Sequence, residues 1–171
     1  MTPLRGFIKA YISIMRGTPL MLQLMVVFYG PKLLLGVTVP GNWRFTAVIV
    51  AFVINYAAYF AEIYRGGLES IPRGQYEAAQ GLGYTKAQTF FKIILPQVIK
   101  RILPSVTNEV ITLVKDTSLA FTLSVAEMFS SAKQIVASPN TPGMLALVAA
   151  GVFYYVFNYA MALLMERCEK A

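Results

Sequence analysis

The chain has 171 residues, of which 57% are hydrophobic and only 13% charged, with a formal net charge of +7, a balance unusual for a soluble globule. A single cysteine, Cys168, excludes an internal disulfide, and the absence of histidine weakens a proton-relay or zinc reading. The apolar residues are bunched into long runs instead of being spaced along polar faces, which argues for a lipid bilayer as the surroundings.

In chain order, Met1 to Arg16 lacks the long apolar core and small-residue cleavage pattern of a secretory signal. Thr18 ahead of Pro19 predicts a capped helix start. The run from Pro19 to Leu35 is interrupted by Gln23, Pro31 and Lys32, so it spans a membrane only if Lys32 reaches the interface along its own stem. Phe45 to Ala61 carries no charge and reads as a second span. The connection from Ile63 to Arg101 is longer than ordinary loops and carries helix signals of its own. Gln75 to Leu82 is rich in helix formers, Gly83 interrupts it, and Thr85 is placed to cap a further helix that ends at Leu95, before Pro96.

A third span from Ile102 to about Ala126 contains Glu109, Lys115 and Asp116. The stretch from Ser130 to Gly143, with Ser138, Pro139, Asn140, Thr141 and Pro142, is expected to be an outer loop in which Thr141 caps the next helix. Gly143 to Met165 has no charge and is long enough to cross about 30 Å of hydrocarbon. The fold class expected is all-α, a polytopic membrane bundle of about four membrane helices with a helical cytoplasmic loop over 63–101.

Charge placement sets the orientation. Arg5, Lys9 and Arg16, the six basic residues Arg65, Arg73, Lys86, Lys92, Lys100 and Arg101, and then Arg167 and Lys170 all fall on one side of the drawn spans. Only Lys32, Arg44 and Lys133 fall on the other. The positive-inside rule makes the first side cytoplasmic, holding the large loop and both ends of the chain. That distribution accounts for the net charge without nucleic acid, for which no basic and aromatic platform is present.

The loop also carries a motif: Glu77-Ala78-Ala79, three residues, Gly83, nine residues, Ile93, one residue, then Leu95-Pro96. The first three residues alone would suit a solvated amphipathic loop. With Gly83 and Leu95-Pro96 in register, the pattern resembles the EAA loop of importer-type ABC permeases. The chemistry suits a docking surface, since Ala78 and Ala79 allow close approach, Glu77 offers a charge and Gly83 permits a sharp change of direction.

Three further matches are Arg16-Gly17-Thr18-Pro19-Leu20 with Gln23, Ala61-Glu62-Ile63-Tyr64-Arg65-Gly66-Gly67 with Ser70-Ile71-Pro72-Arg73-Gly74-Gln75, and Lys115-Asp116-Thr117-Ser118-Leu119. They resemble the permeases that import polar amino acids, and together with the loop they cover most of the chain. The resemblance implies a non-catalytic bacterial inner-membrane subunit making up the whole of 1–171. Its implied partners are a second permease subunit, a separate ATPase that binds ATP and Mg and docks on the loop, and an external solute-binding protein. Such permeases have a core of five membrane helices; four are drawn here, and the first is expected to be missing.

Within the third span, a charge at mid-bilayer is expensive, so Glu109 is expected to face a cavity or partner. Lys115 and Asp116 are adjacent and do not share a face, whereas Asn108, Glu109 and Thr112 lie side by side at helical spacing. These three form a candidate substrate stripe, with Glu109 near a substrate amino group; a structural tie between helices is the equal alternative for Glu109. Asn55, Tyr56 and Tyr59 are expected to pack structurally. No phosphate-binding G-x-x-x-x-G-K-[ST] loop is present, so ATP hydrolysis falls to a partner. The rival class is an ion-coupled secondary amino-acid transporter, for which Glu109 supplies a carboxylate but the sequence supplies no inverted repeat. An integral-membrane enzyme would need a catalytic constellation that the scattered carboxylates do not make.

Overall fold

The computed structural model describes the backbone of residues 3–138 and 143–170 and the side chains of all of these but 169 and 170. Every regular element among the described residues is a helix, with no strand among them. Helix α1 spans Pro3–Gly17 and α2 spans Leu20–Leu35, and the two are bent by 113° across Thr18 and Pro19. Pro19 causes the break, because it has no N–H to give the preceding turn and disfavours a helical residue before it. The expected Thr18 cap is not made. Pro19 itself occupies the cap position, its carbonyl accepting from the N–H groups of Leu22 and Gln23 at 3.0 and 3.2 Å. Thr18 therefore sits one residue too early, and its hydroxyl donates back to the Ile14 carbonyl at 2.8 Å.

With 16 residues, α2 reaches about 24 Å and is too short to cross alone. Its end is set by Gly36 in the left-handed region at φ 64°. Helix α3, Trp43–Glu69, has 27 residues and outruns the span read from the sequence at both ends. Its entry is tied to α2 by Trp43 Nε1 donating to the Phe28 carbonyl at 3.0 Å. Small residues Ala47, Ala51 and Ala58 are buried along α3 and let its neighbours approach.

Helix α4, Arg73–Gly81, follows Pro72, and α5, Lys86–Thr89, begins at Thr85. The Thr85 cap is made in full: its hydroxyl accepts from Gln88 N–H at 3.3 Å while the Gln88 side chain accepts from Thr85 N–H at 2.9 Å. The helix does not stop at Leu95 as the proline suggested. A π turn over Phe90–Ile94 leads straight into α6, Leu95–Asp116. In that turn Leu95 N–H bonds back to Phe90, five residues away, and Pro96 falls in the first turn of α6, where its missing N–H is tolerated and the helix continues.

The third run is likewise no single span, since α6 ends at Asp116 and a 3₁₀ segment, Thr117–Leu123, closes on Ser124 at φ 55°. The expected outer loop is also partly helical. Helix α7, Met128–Val136, starts on a cap in which Glu127 accepts from Phe129 N–H at 2.7 Å and from Ser130 N–H at 2.5 Å, and a carboxylate at that end suits the helix dipole. The expected Thr141 cap lies outside the described residues. Helix α8, Gly143–Lys170, packs on α6 and α7.

Among the described residues, α3 and α8 are each long and apolar enough to cross a membrane, and the bent α1–α2 pair makes a third candidate. Two apolar cores hold the chain. One joins Leu24, Val48, Ala51, Ala120 and Leu123 at the middle of α2, α3 and the 3₁₀ segment. The other joins Ile71, Ile94 and Val98 beneath α4.

Candidate functional site: an exposed loop helix and a polar seam

The loop motif folds as one unit. In α4, Glu77 and Ala78 face outward while Ala79 is 1% exposed, packed toward the rest of the chain. Glycine is required at 83, whose φ is 80°, and the chain reverses there from α4 into α5. Leu82 in that turn and Phe91 in the π turn that follows α5 are exposed by 75% and 64%. Leu95 and Pro96 sit at the foot of α6, half-buried and exposed respectively.

Three links fasten this unit to the bundle. Gln97 Nε2 donates to Gln75 Oε1 at 3.2 Å, the Arg101 guanidinium donates to the Ser70 carbonyl, and the core of Ile71, Ile94 and Val98 fills the space between. Beside them α3 and α6 cross at Gly67, where a β-carbon would overlap the Ile102 side chain and come within 3.2 Å of Val98 Cγ1. α4 is thereby packed on the foot of α6 and the end of α3.

A polar seam lines the junction of α1, α2, α3 and α6. Asn55, 4% exposed, donates to Gln23 Oε1 at 2.9 Å and to the Met15 carbonyl at 3.3 Å. Gln23 in turn donates to the Thr18 hydroxyl at 2.8 Å and to the Met15 carbonyl at 2.9 Å. These bonds satisfy the backbone groups that the break at Pro19 leaves open. Tyr56 donates to Asp116 Oδ2 at 2.8 Å. Arg16 lies over the Tyr59 ring at 5.6 Å and 3.8 Å from Glu62. The expected packing roles of Asn55, Tyr56 and Tyr59 thus take the form of specific ties between helices.

On α6, Glu109 and Thr112 are half-buried and Asn108 is exposed. Glu109 lies within electrostatic reach of Arg16 and Asp116. Asp116 is two turns along from Glu109 and shares its face. The seam therefore holds Arg16 together with the carboxylates Glu62, Glu109 and Asp116, a set in which sequence reasoning singled out only Glu109. Asp116 and Arg16 stood in the matched motifs, and a charge inside an apolar run was the available signal for Asp116. No cluster of metal-ligating side chains occurs among the described residues.

The family model described as the binding-protein-dependent transport system inner membrane component matches residues 1–171. The L-cystine transport system permease protein TcyB of Bacillus subtilis is 36% identical over 169 residues, covering 98% of this chain and 70% of the relative. A probable amino-acid permease protein of the same organism, YxeN, is 40% identical over 164 residues, 95% of this chain and 72% of its own. The octopine transport system permease protein OccM of Rhizobium radiobacter is 37% identical over 168 residues, 95% and 68%. Among solved structures, an amino acid ABC transporter crystallised with histidines superposes with a TM-score of 0.86 at 32% identity, over 99% of this chain and 77% of that one. The inward-facing MetNI methionine ABC transporter superposes with a TM-score of 0.77 at 20% identity, a likeness of fold. The chain belongs to the binding-protein-dependent inner-membrane permease family, and it is a permease component of ABC amino acid transport.

Proposed function

We propose that this subunit imports a polar amino acid across a bacterial inner membrane, driven by ATP that a separate ATPase subunit binds with Mg and hydrolyses. Helix α4 is the dock for that ATPase and lies in the cytoplasm, where the basic segments place it. A second permease subunit completes the pathway, and an external solute-binding protein delivers the substrate. The names of the relatives, which include cystine, octopine and arginine systems, support the substrate class.

The observation that carries this reading is α4 itself, with Glu77 and Ala78 presented outward, Ala79 buried and Gly83 turning the chain back. A short exposed helix clamped to the foot of α6 suits a lever that another protein grips. Glu77→Lys reverses the charge on that surface and is expected to weaken ATPase association roughly tenfold or more, with the chain still inserted in the membrane. Gly83→Asp is the second variant. Pull-down of the ATPase at parental yield by both variants would remove the dock from α4.

A further inference from the structure

Arg5 and Lys9 line a cleft of about 570 Å³ between α1 and the end of α3, together with Leu4, Ile8 and Ile12. Glu62 and Glu69 also border the cleft, but both are occupied. The Arg65 guanidinium bonds Glu62 and reaches Glu69 at 2.6 Å, and Arg16 adds its charge 3.8 Å from Glu62. Among the described residues Arg5 and Lys9 have no ion pair or hydrogen bond of their own. Two uncommitted cations thus share a wall with apolar side chains.

The rest of α1 explains the surroundings such a wall needs. Arg5, Lys9 and Arg16 recur at intervals of four and seven residues and share one helix face. Leu4, Phe7 and Ile14 are 67%, 73% and 56% exposed, and no α1 residue is buried, a combination that water disfavours. The 113° bend sets α1 across the direction of α2, within about 25° of the bilayer plane where α2 follows the normal. An amphipathic basic helix lying in that plane meets lipid headgroups on one face and acyl chains on the other.

We propose that the cleft between α1 and α3 binds the phosphate headgroup of an anionic phospholipid, with Arg5 and Lys9 at the phosphate and Leu4 and Ile8 along the start of an acyl chain. The apolar half of the wall favours a lipid over a free anion. The positive-inside orientation puts the cleft at the leaflet where basic juxtamembrane residues meet anionic lipid.

The test uses the permease purified with its partners and reconstituted in nanodiscs containing phosphatidylglycerol or phosphatidylcholine. Retained lipid is read by native mass spectrometry. Preferential retention of phosphatidylglycerol is expected, with Arg5→Gln and Lys9→Gln each lowering it about fivefold and phosphatidylcholine retention unchanged. Equal retention of the two lipids by the parent, or full phosphatidylglycerol retention by the double variant, overturns the proposal. Displacement by millimolar inorganic phosphate would reassign the cleft to a free anion. A site-specific arm uses Ser13→Cys, on the cleft wall, in a Cys168→Ser background. Phosphatidylglycerol is expected to slow its labelling by a water-soluble maleimide; a cysteine unreactive in both lipids would mean that protein fills the cleft.

Discussion

Glu109 is a half-buried carboxylate of α6 within electrostatic reach of Arg16 and Asp116, without an ion pair among the described residues. Read as a contact for a substrate amino group, it gives Glu109→Gln a defined cost. Loss of one charge-assisted hydrogen bond, about 1.5 to 3 kcal/mol, raises the uptake Km roughly tenfold or more while assembled yield and basal ATPase activity stay level. A lower yield of complex with unchanged substrate affinity would assign Glu109 to holding helices together. Asn55 has the opposite expectation. Asn55→Leu leaves Gln23 without its buried partner, and a loss of about 1 to 3 kcal/mol is expected in detergent thermal unfolding, with substrate affinity unaltered in the surviving complex. Gly67→Ala forces a methyl group into Ile102, an overpacking cost of about 1 to 3 kcal/mol, and Ile102→Ala in the same chain should restore part of it. The first of these sites was legible because charge in an apolar run stands out. Gly67 was matched as part of a motif, but nothing local in the sequence says which α6 side chain arrives against it.

At the scale of elements, the loop between α3 and α6 is where local sequence and structure agree most fully. The helix formers of α4, the φ 80° of Gly83 and the Thr85 capping box all follow from residues within four positions of one another. Pro96 misled because its local tendency to end a helix is overridden by the π turn before it and by burial of Ile94 and Val98 against Ile71. Helix α7 was read as loop because its carboxylate cap at Glu127 lies just outside the stretch weighted by Ser138, Pro139 and Pro142. Ile94, fully buried beneath α4, is the most direct handle on this element. Ile94→Ala is expected to cost about 2 to 5 kcal/mol locally. It should loosen α4 from α6, seen as faster hydrogen exchange over Arg73–Gly81 and as ATP hydrolysis no longer matched by uptake. Unchanged exchange in α4 would mean that the core of Ile71, Ile94 and Val98 does not hold it.

Across the whole molecule, α3 is the common neighbour: α1, α2 and α6 all pack on it, and α8 joins through α6 and α7. Apolar runs announced a helical membrane bundle and located α3 and α8 closely. They did not show the 113° angle between α1 and α2 across Thr18 and Pro19, or that the third run changes to a 3₁₀ segment after Asp116, because a run of apolar residues carries no record of a change in helix direction or type. α3 and α6 pack closely where Gly67 meets Ile102. Force that enters at α4 from an ATPase is expected to leave as movement of a polar amino acid across the membrane. This coupling is tested most directly in proteoliposomes holding the permease, its ATPase and its binding protein, by measuring uptake of a radiolabelled polar amino acid with ATP on the α4 side, with and without ion gradients, for the parent chain and Glu77→Lys. Uptake that requires ATP, persists when proton and sodium gradients are collapsed, and falls at least tenfold in Glu77→Lys is the expected result. Uptake driven by an ion gradient without ATP, or undiminished in Glu77→Lys, would contradict it.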